Sequence, residues 1–301
     1  FVLVCRSAAQ TSADYNNQGL AKFKAKDYSN ALLDFNKAIE LDAKNEKALH
    51  NRGLAKYALK DYDGAVKDHS KAIELNPAYS NAYNDRGIVK YRLKDNSGAL
   101  ADYNKAIEID PAYFIAYKNR AVVFYAQKDY AAAAKDYEKC IELKPNDADG
   151  YMGRGAVKYI LKDYDAAIKD FSKAIEYEPG LVPAYLNRGN ARFILNDVEA
   201  ALADFKKVVQ LQPDNANVYF NLGVIYTGKK KSSDAIASFK KYNSILPNEW
   251  NGYKNTADVY YTQLARYDSS EYFYNKAWQI NKQENEILQR YGYRLLNQKK
   301  I

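Results

Sequence analysis

The chain has 301 residues, 47% of them apolar and 27% charged, with a net charge of +8. That is too long for one small core and long enough for two ordinary domains or one repeat array. No run approaches the roughly 20 apolar residues of a membrane-spanning helix. Two cysteines, Cys5 and Cys140, exclude a disulfide framework and a cysteine-based zinc site. The positive balance points to nucleic acid or an acidic surface only if it is clustered.

Phe1 to Cys5 is strongly apolar, and Ser7-Ala8-Ala9 and Thr11-Ser12-Ala13 offer small residues suited to cleavage. Residues 1–11 therefore read in two ways. They are the tail of a secretory signal peptide, with Arg6 as an unfavourable element, or an unstructured or helical extension. The first reading makes the protein exported, periplasmic or extracellular, and the second cytoplasmic. Lipidation of Cys5 is disfavoured by Val4, too large for the residue that usually precedes a lipidated cysteine.

From Ser12 onward a period of 34 organises the chain. Six of the seven prolines, Pro77, Pro111, Pro145, Pro179, Pro213 and Pro247, are 34 residues apart. Gly19, Gly53, Gly87, Gly155, Gly189 and Gly223 keep the same beat, with Ala121 in the gap. So do Ala31, Ala65, Ala99, Ala133, Ala167, Ala201 and Ala235. A repeat of this length means stacked supersecondary units. They are expected near 12–45, 46–79, 80–113, 114–147, 148–181, 182–215, 216–249 and 250–283.

Residues 46–79 show what one unit contains. Leu49, Gly53 and Tyr57 recur every four residues in a first helix. Tyr62, Ala65, Val66, His69, Ala72 and Ile73 form the apolar stripe of a second. Lys60-Asp61 is a polar turn, and the Asp61 carboxylate is placed to cap the second helix. Pro77 stops that helix, because it lacks an N–H and clashes with the preceding turn. Gly53 and Ala65 let the paired helices approach closely, and Ala72 does the same towards the next unit.

These residues resemble the tetratricopeptide repeat family. The motif is an aromatic or leucine four before the glycine, then an alanine, an aromatic, an alanine and a proline at fixed offsets after it. Tyr83, Gly87, Ala99, Tyr103, Ala106 and Pro111 are one complete copy. The resemblance covers about residues 12–283. It implies an all-α, right-handed superhelical solenoid of about eight helix-turn-helix units, with a concave groove lined by each unit's first helix.

Departures follow in chain order. Ala43 stands where proline is expected, Ala121 for glycine, and Cys140 for alanine in a buried slot that would leave it inert. Val208 and the large Tyr242 occupy small-residue slots. In the eighth unit Ala257 replaces glycine, and Ala277 fits only with one residue inserted near Leu264–Tyr267. Residues 284–301 read as a capping helix, with Ile287, Leu288, Tyr291 and Leu295 as its stripe. The eighth unit and cap also hold Trp250, Tyr253, Tyr260, Tyr261, Tyr267, Tyr272, Phe273, Tyr274, Trp278, Tyr291 and Tyr293. They read either as a buried terminal cap or as a second contact surface for self-association.

Nothing in the sequence carries catalytic chemistry, and no enzyme activity or cofactor is expected. His69 sits in the slot of Phe35, Tyr103, Tyr137, Phe171 and Phe205 and is expected in the core. His50 is expected to face the groove, with no second metal ligand at suitable spacing. Asp34, Asp68, Asp102, Asp136, Asp170 and Asp204 are periodic, unlike a catalytic pair. Arg52, Arg86, Arg120, Arg154 and Arg188 each precede one of them by 16 positions. In the seventh unit both change together, to Leu222 and Ser238, so Arg and Asp are expected to pair across the two helices. Lys37, Lys71, Lys105, Lys139, Lys173, Lys207 and Lys241 recur with a glutamate usually three residues later, which reads as a solvated face.

The resemblance implies that ligands lie along the groove, and residue by residue it places candidate contacts there. Tyr57, Tyr91, Tyr125, Tyr159 and Phe193, with Phe23 and Tyr261, form an aromatic row that holds a peptide, packs helix on helix, or does both. The N-terminal half adds Lys47, His50, Arg92 and Lys118. The C-terminal half adds Met152, Ile160, Leu186, Ile194 and Phe220. The expected partner is a protein or peptide with acidic residues followed by an apolar anchor. The carboxylate clamp of some family members is absent, because Leu20, Leu54 and Val122 stand where it needs asparagine. The expected function is a non-enzymatic protein-interaction scaffold. Its rivals are an RNA-binding helical repeat, disfavoured by the complete glycine, alanine and proline markers, and the regulatory arm of a larger enzyme.

Overall fold

The structure, a computed structural model, describes residues 10–283. Residues 1–9 of the expected signal remnant or extension, with Cys5, and the capping helix at 284–301 lie outside the described residues. Sixteen α-helices and no strand occur among those described. They come in pairs: α1 (Ser12–Lys24) with α2 (Tyr28–Leu41), α3 (Glu46–Ala58) with α4 (Tyr62–Leu75), α5 (Ser80–Arg92) with α6 (Asn96–Ile109), and α7 (Phe114–Ala126) with α8 (Tyr130–Leu143). Next are α9 (Ala148–Ile160) and α10 (Tyr164–Tyr177), then α11 (Val182–Ile194) with α12 (Val198–Leu211). The last are α13 (Ala216–Gly228) with α14 (Ser232–Ile245), and α15 (Trp250–Thr262) with α16 (Tyr267–Ile280). The chain divides into two compact bodies, residues 1–157 and 158–301, with the division inside α9. In each body the helices of a repeat pack on one another and on the next repeat.

The turn inside each repeat is short because its ends are closed locally. In the second repeat Lys60 donates its backbone N–H to Tyr57 and Asp61 donates to Lys56, which satisfies the last carbonyls of α3. This closure puts Lys60 in the left-handed region at φ 66°. The Asp61 carboxylate then accepts the Gly64 N–H at 3.0 Å and caps α4 as expected. Lys26, Lys94, Lys128, Lys162, Asn196 and Lys230 repeat the same turn.

The eighth repeat contains the residue insertion expected from its sequence. Its turn runs from Gln263 to Arg266, one residue longer than Leu59 to Asp61, and the left-handed residue is Ala265 at φ 49°. With that insertion Ala277 and Tyr274 reach the buried slots of their sister residues. An alanine side chain in the left-handed region costs about 1–2 kcal/mol. Ala265→Gly is therefore expected to raise stability by about 1 kcal/mol in thermal unfolding, and an unchanged midpoint would count against strain at this turn.

The glycine column makes room for a ring from the second helix of the same repeat. A Cβ at Gly19 would lie 2.5 Å from Phe35, at Gly87 2.7 Å from Tyr103, and at Gly189 2.7 Å from Phe205. Ala121 fills that space in the fourth repeat, and the Tyr137 ring instead lies over Gly153 of the next repeat, where a Cβ would come within 2.2 Å. Two other departures are compensated in the same way. Cys140 faces Gly150, and the large Tyr242 faces Gly252, where sister repeats pair small residues with alanine or valine. Cys140 is fully buried and burial pushes its thiol up to about 12, so that little of it is thiolate at neutral pH.

The Arg–Asp pairs are present and reach further than the sequence suggested. Arg86 donates through Nε and Nη2 to Asp102, at 2.9 and 2.7 Å, while its Nη1 reaches Ser70 of the preceding repeat at 3.0 Å. Arg52, Arg120 and Arg188 do the same with Asn36, Asn104 and Ser172. Each of these arginines thus ties three helices together. A second cation four residues on joins the buried aspartate: Lys56 on Asp68, Lys90 on Asp102 and Arg192 on Asp204. The recurrence of Lys22, Lys56, Lys90, Lys158 and Arg192 was the sequence signal for it. Asp34, without an arginine at the equivalent place, takes Lys22 alone of the two.

Candidate functional site

In the aromatic row Phe23, Tyr57, Tyr91, Tyr125 and Tyr159 are half-buried, whereas Phe193 and Tyr261 are exposed. Tyr57 lies 5.6 Å from Tyr62, Tyr125 5.6 Å from Tyr130 and Tyr159 5.4 Å from Tyr164, ring centre to ring centre. Each ring therefore fastens the end of a first helix to the start of a second, with one edge left accessible. Tyr91 packs on the core around Tyr103 and Val123.

In the first body, the expected basic contacts largely have partners already. His50, expected to face the groove, is buried at 6% exposure. Its Nε2 lies 2.7 Å from Asp85 and its Nδ1 3.2 Å from the Tyr79 hydroxyl. The Lys118 ammonium sits 2.7 Å from Asp149 and over the Phe114 ring. Arg92 is exposed and hydrogen-bonded to Tyr57 of the preceding repeat, which holds its guanidinium pKa above the ordinary value. Lys47 is exposed and Met152 half-buried. The positive charge expected here is thus reduced by Asp85 and Asp149, two carboxylates the sequence reading did not consider.

In the second body, a cleft of about 550 Å³ gathers five predicted contacts, Tyr159, Leu186, Phe193, Ile194 and Phe220. The exposed Ile160 adjoins Tyr159 but does not line it. The cleft also holds five asparagines, Asn187, Asn190, Asn217, Asn221 and Asn251, which the sequence reading missed. Their signal was present, because Asn51, Asn119, Asn187, Asn221 and Asn255 all stand two before the glycine slot. Asn221 donates to Asn190 at 2.7 Å. The side chains of Asn187 and Asn217 make no hydrogen bond among the described residues and present both a donor and an acceptor to the cleft.

At the C-terminal repeat, Tyr274 is buried and Tyr260 stacks on Phe273 at 5.6 Å, while Tyr261, Tyr267 and Tyr272 are exposed. Tyr291 and Tyr293 lie outside the described residues. Among the described residues no group of three or more His, Cys, Asp or Glu could hold a metal ion, and no helix is long and apolar enough to cross a membrane.

Two sequence families described as "Tetratricopeptide repeat" match residues 46–79, 114–147 and 148–181, and 15–45 and 216–248. A third, described as "TPR repeat", matches 90–128 and 189–230, so the matches span most of the chain. The chain belongs to the tetratricopeptide repeat family. No curated protein sequence matches it. Among solved structures, it is similar to the C-terminal part of a TPR repeat-containing protein from Cytophaga hutchinsonii. The TM-score is 0.64 at 20% identity, with 79% of this chain and 98% of that one covered. It is similar to a tetratricopeptide repeat protein from Parabacteroides merdae with a TM-score of 0.60 at 20% identity, covering 82% and 98%. YrrB, described as a TPR protein with an unusual peptide-binding site, gives 0.52 at 22% identity, covering 61% and 95%. At these identities the likeness establishes the fold, an all-α tetratricopeptide solenoid. The family and fold support a protein-interaction scaffold.

Proposed function

We propose that the protein is a scaffold whose second body takes up a protein or peptide segment in the asparagine-lined cleft. The observation that carries this reading is the combination of apolar side chains with unpaired amides. Leu186, Ile194 and Phe220 accept an apolar anchor, whose burial contributes about 1.5–3 kcal/mol. Asn187 and Asn217 each offer a donor and an acceptor matched to a peptide main chain. Main-chain contacts supply affinity with little sequence preference, so the apolar pocket sets specificity. Lys47 and Arg92 are exposed in the first body and would suit acidic residues there. YrrB is a fold relative described by a peptide-binding site, which supports this choice of ligand class without fixing its position.

The test is affinity capture from native extract with the wild type and with Leu186→Asp and Asn187→Ala variants, after circular dichroism has shown equal helicity. A bound protein is expected to be retained by the wild type and weakened about tenfold or more by Leu186→Asp. Equal retention by all three proteins would remove the cleft as the binding site.

A further inference from the structure

The last three repeats depart from the pattern in a coordinated way on the second helices. In the first five, the periodic lysine pairs with a glutamate three residues later, as in Lys37–Glu40 at 3.0 Å, Lys105–Glu108 at 2.6 Å and Lys173–Glu176 at 2.8 Å. The corresponding positions then become Lys207 with Gln210, Lys241 with Ser244 and Lys276 with Gln279. The residue before the lysine changes too. Asn36, Ser70, Asn104 and Ser172 accept the Nη1 donor of the next repeat's arginine. At Lys206 and Lys240 the acceptor has become a second lysine, and the arginine of the following repeat has become Leu222 or Thr256. The buried aspartate is lost as well, to Ser238 and Phe273. None of Lys206, Lys207, Lys240, Lys241 and Lys276 makes an ion pair among the described residues, in contrast to the five glutamate-paired lysines.

Where the guanidinium is missing, the helices leave clefts. One of about 450 Å³ is walled by Val209, Tyr219, Leu222 and Tyr226, with Lys206 and Lys241 on it. The other, of about 410 Å³, is walled by Tyr253, Thr256 and Phe273, with Lys240 and Lys276. Both border α14, whose adjacent Lys240 and Lys241 serve one cleft each. We propose that this lysine-rimmed pair of clefts is a second docking surface, separate from the asparagine-lined cleft, and that its partner is an acidic amphipathic helix of another protein.

Spacing and chemistry select that occupant. Clefts on either side of one helix are about 10 Å apart, and residues seven apart on a partner helix are separated by about 10.5 Å. Two apolar side chains at that spacing enter the two clefts while neighbouring carboxylates meet the lysines. A single-stranded nucleic acid would need open ring faces for its bases. Here Lys240 lies over Phe273 at 5.6 Å, Lys241 over Tyr219 at 5.9 Å and Lys276 over Tyr272 at 4.9 Å. A lipid surface calls for protruding apolar groups, whereas in the cleft wall Leu222 is buried and Val209 partly buried.

The probe is a fluorescein-labelled helical peptide of about fourteen residues, with two leucines seven apart and glutamates beside them, followed by fluorescence anisotropy. The wild type is expected to bind it in a salt-sensitive manner. Lys240→Glu with Lys241→Glu is expected to weaken binding about tenfold or more. Leu222→Arg with Ser238→Asp and Lys206→Ser restores the pattern of the other repeats, fills one cleft, and is expected to abolish binding while the protein stays folded. Leu186→Asp is expected to leave binding unchanged. The proposal is overturned if the wild type does not bind the peptide, or if the lysine and restored-pattern variants bind it as tightly as the wild type. It is equally overturned if the lysines are needed only for binding single-stranded RNA or vesicles containing phosphatidylserine.

Discussion

Replacing Gly153 by alanine is expected to lower the stability of the chain by about 2–3 kcal/mol, the upper range for overpacking a filled interior. The new methyl would fall 2.2 Å from Cε1 and 2.3 Å from Cζ of Tyr137. That ring cannot retreat to the place its sister rings occupy, because the Ala121 side chain is already there. Ala121→Gly alone is expected to cost about 1 kcal/mol through helix propensity. Combining the two substitutions reopens the retreat, so the double variant is expected to be more stable than Gly153→Ala alone. Denaturant midpoints of the four proteins would read this coupling directly. Additive effects would mean that Ala121 and Gly153 are unrelated departures.

Replacing His69 by phenylalanine is expected to stabilise the protein, and more so in acid. His69 is fully buried, and neither ring nitrogen has a hydrogen-bond partner. Desolvation and then the neighbouring His50, whose ring centre is 5.2 Å away, push its pKa down to about 4. A buried imidazole in this state stays neutral when the unfolded chain takes up a proton. Its penalty is absent above the unfolded pKa near 6.5, grows as the pH falls, and levels off once the folded form protonates near 4. The full penalty is about 3 kcal/mol. Phe35, Phe171, Phe205 and Phe239 occupy the same slot in other repeats, so a phenyl ring fits beside Gly53. His69→Phe is expected to gain about 1–2 kcal/mol at neutral pH by removing two unpaired nitrogens. Between pH 6.5 and 4 it should also lose less stability than the wild type. Parallel stability curves for the two proteins across that range would show that His69 is not the group responsible.

The fold was legible because stacked repeats impose the same steric demand every 34 residues. Pro77 and its sisters, the glycine column and the alanine column each mark a contact that admits only one size of side chain. Even the insertion in the eighth repeat could be located, since Ala277 had to regain its slot. What the sequence hid were exchanges between neighbouring repeats. The large Tyr242 is fitted by Gly252, and Ala121 is offset by Gly153, two positions that look unrelated until the chain is folded. The candidate site was partly legible for the same reason. Its apolar members were found by their offset from the glycine. Asn187 and Asn217 were passed over, because an asparagine on a helix surface announces nothing until several converge. The burial of His50 was not legible because its partner, Asp85, belongs to the next repeat.

The arginine that bridges three helices also determines how the chain can come apart. A repeat bound to its predecessor through such a side chain cannot open without breaking a charged contact in two places, so neighbouring repeats unfold together. Leu222 and Thr256 break that chain of linkages in the seventh and eighth repeats. Those repeats are therefore expected to open more readily than the ones before them, which hydrogen exchange of their backbone amides would read. On that expectation, the repeats whose lysines have no carboxylate partner are also those best able to reshape themselves around what they meet.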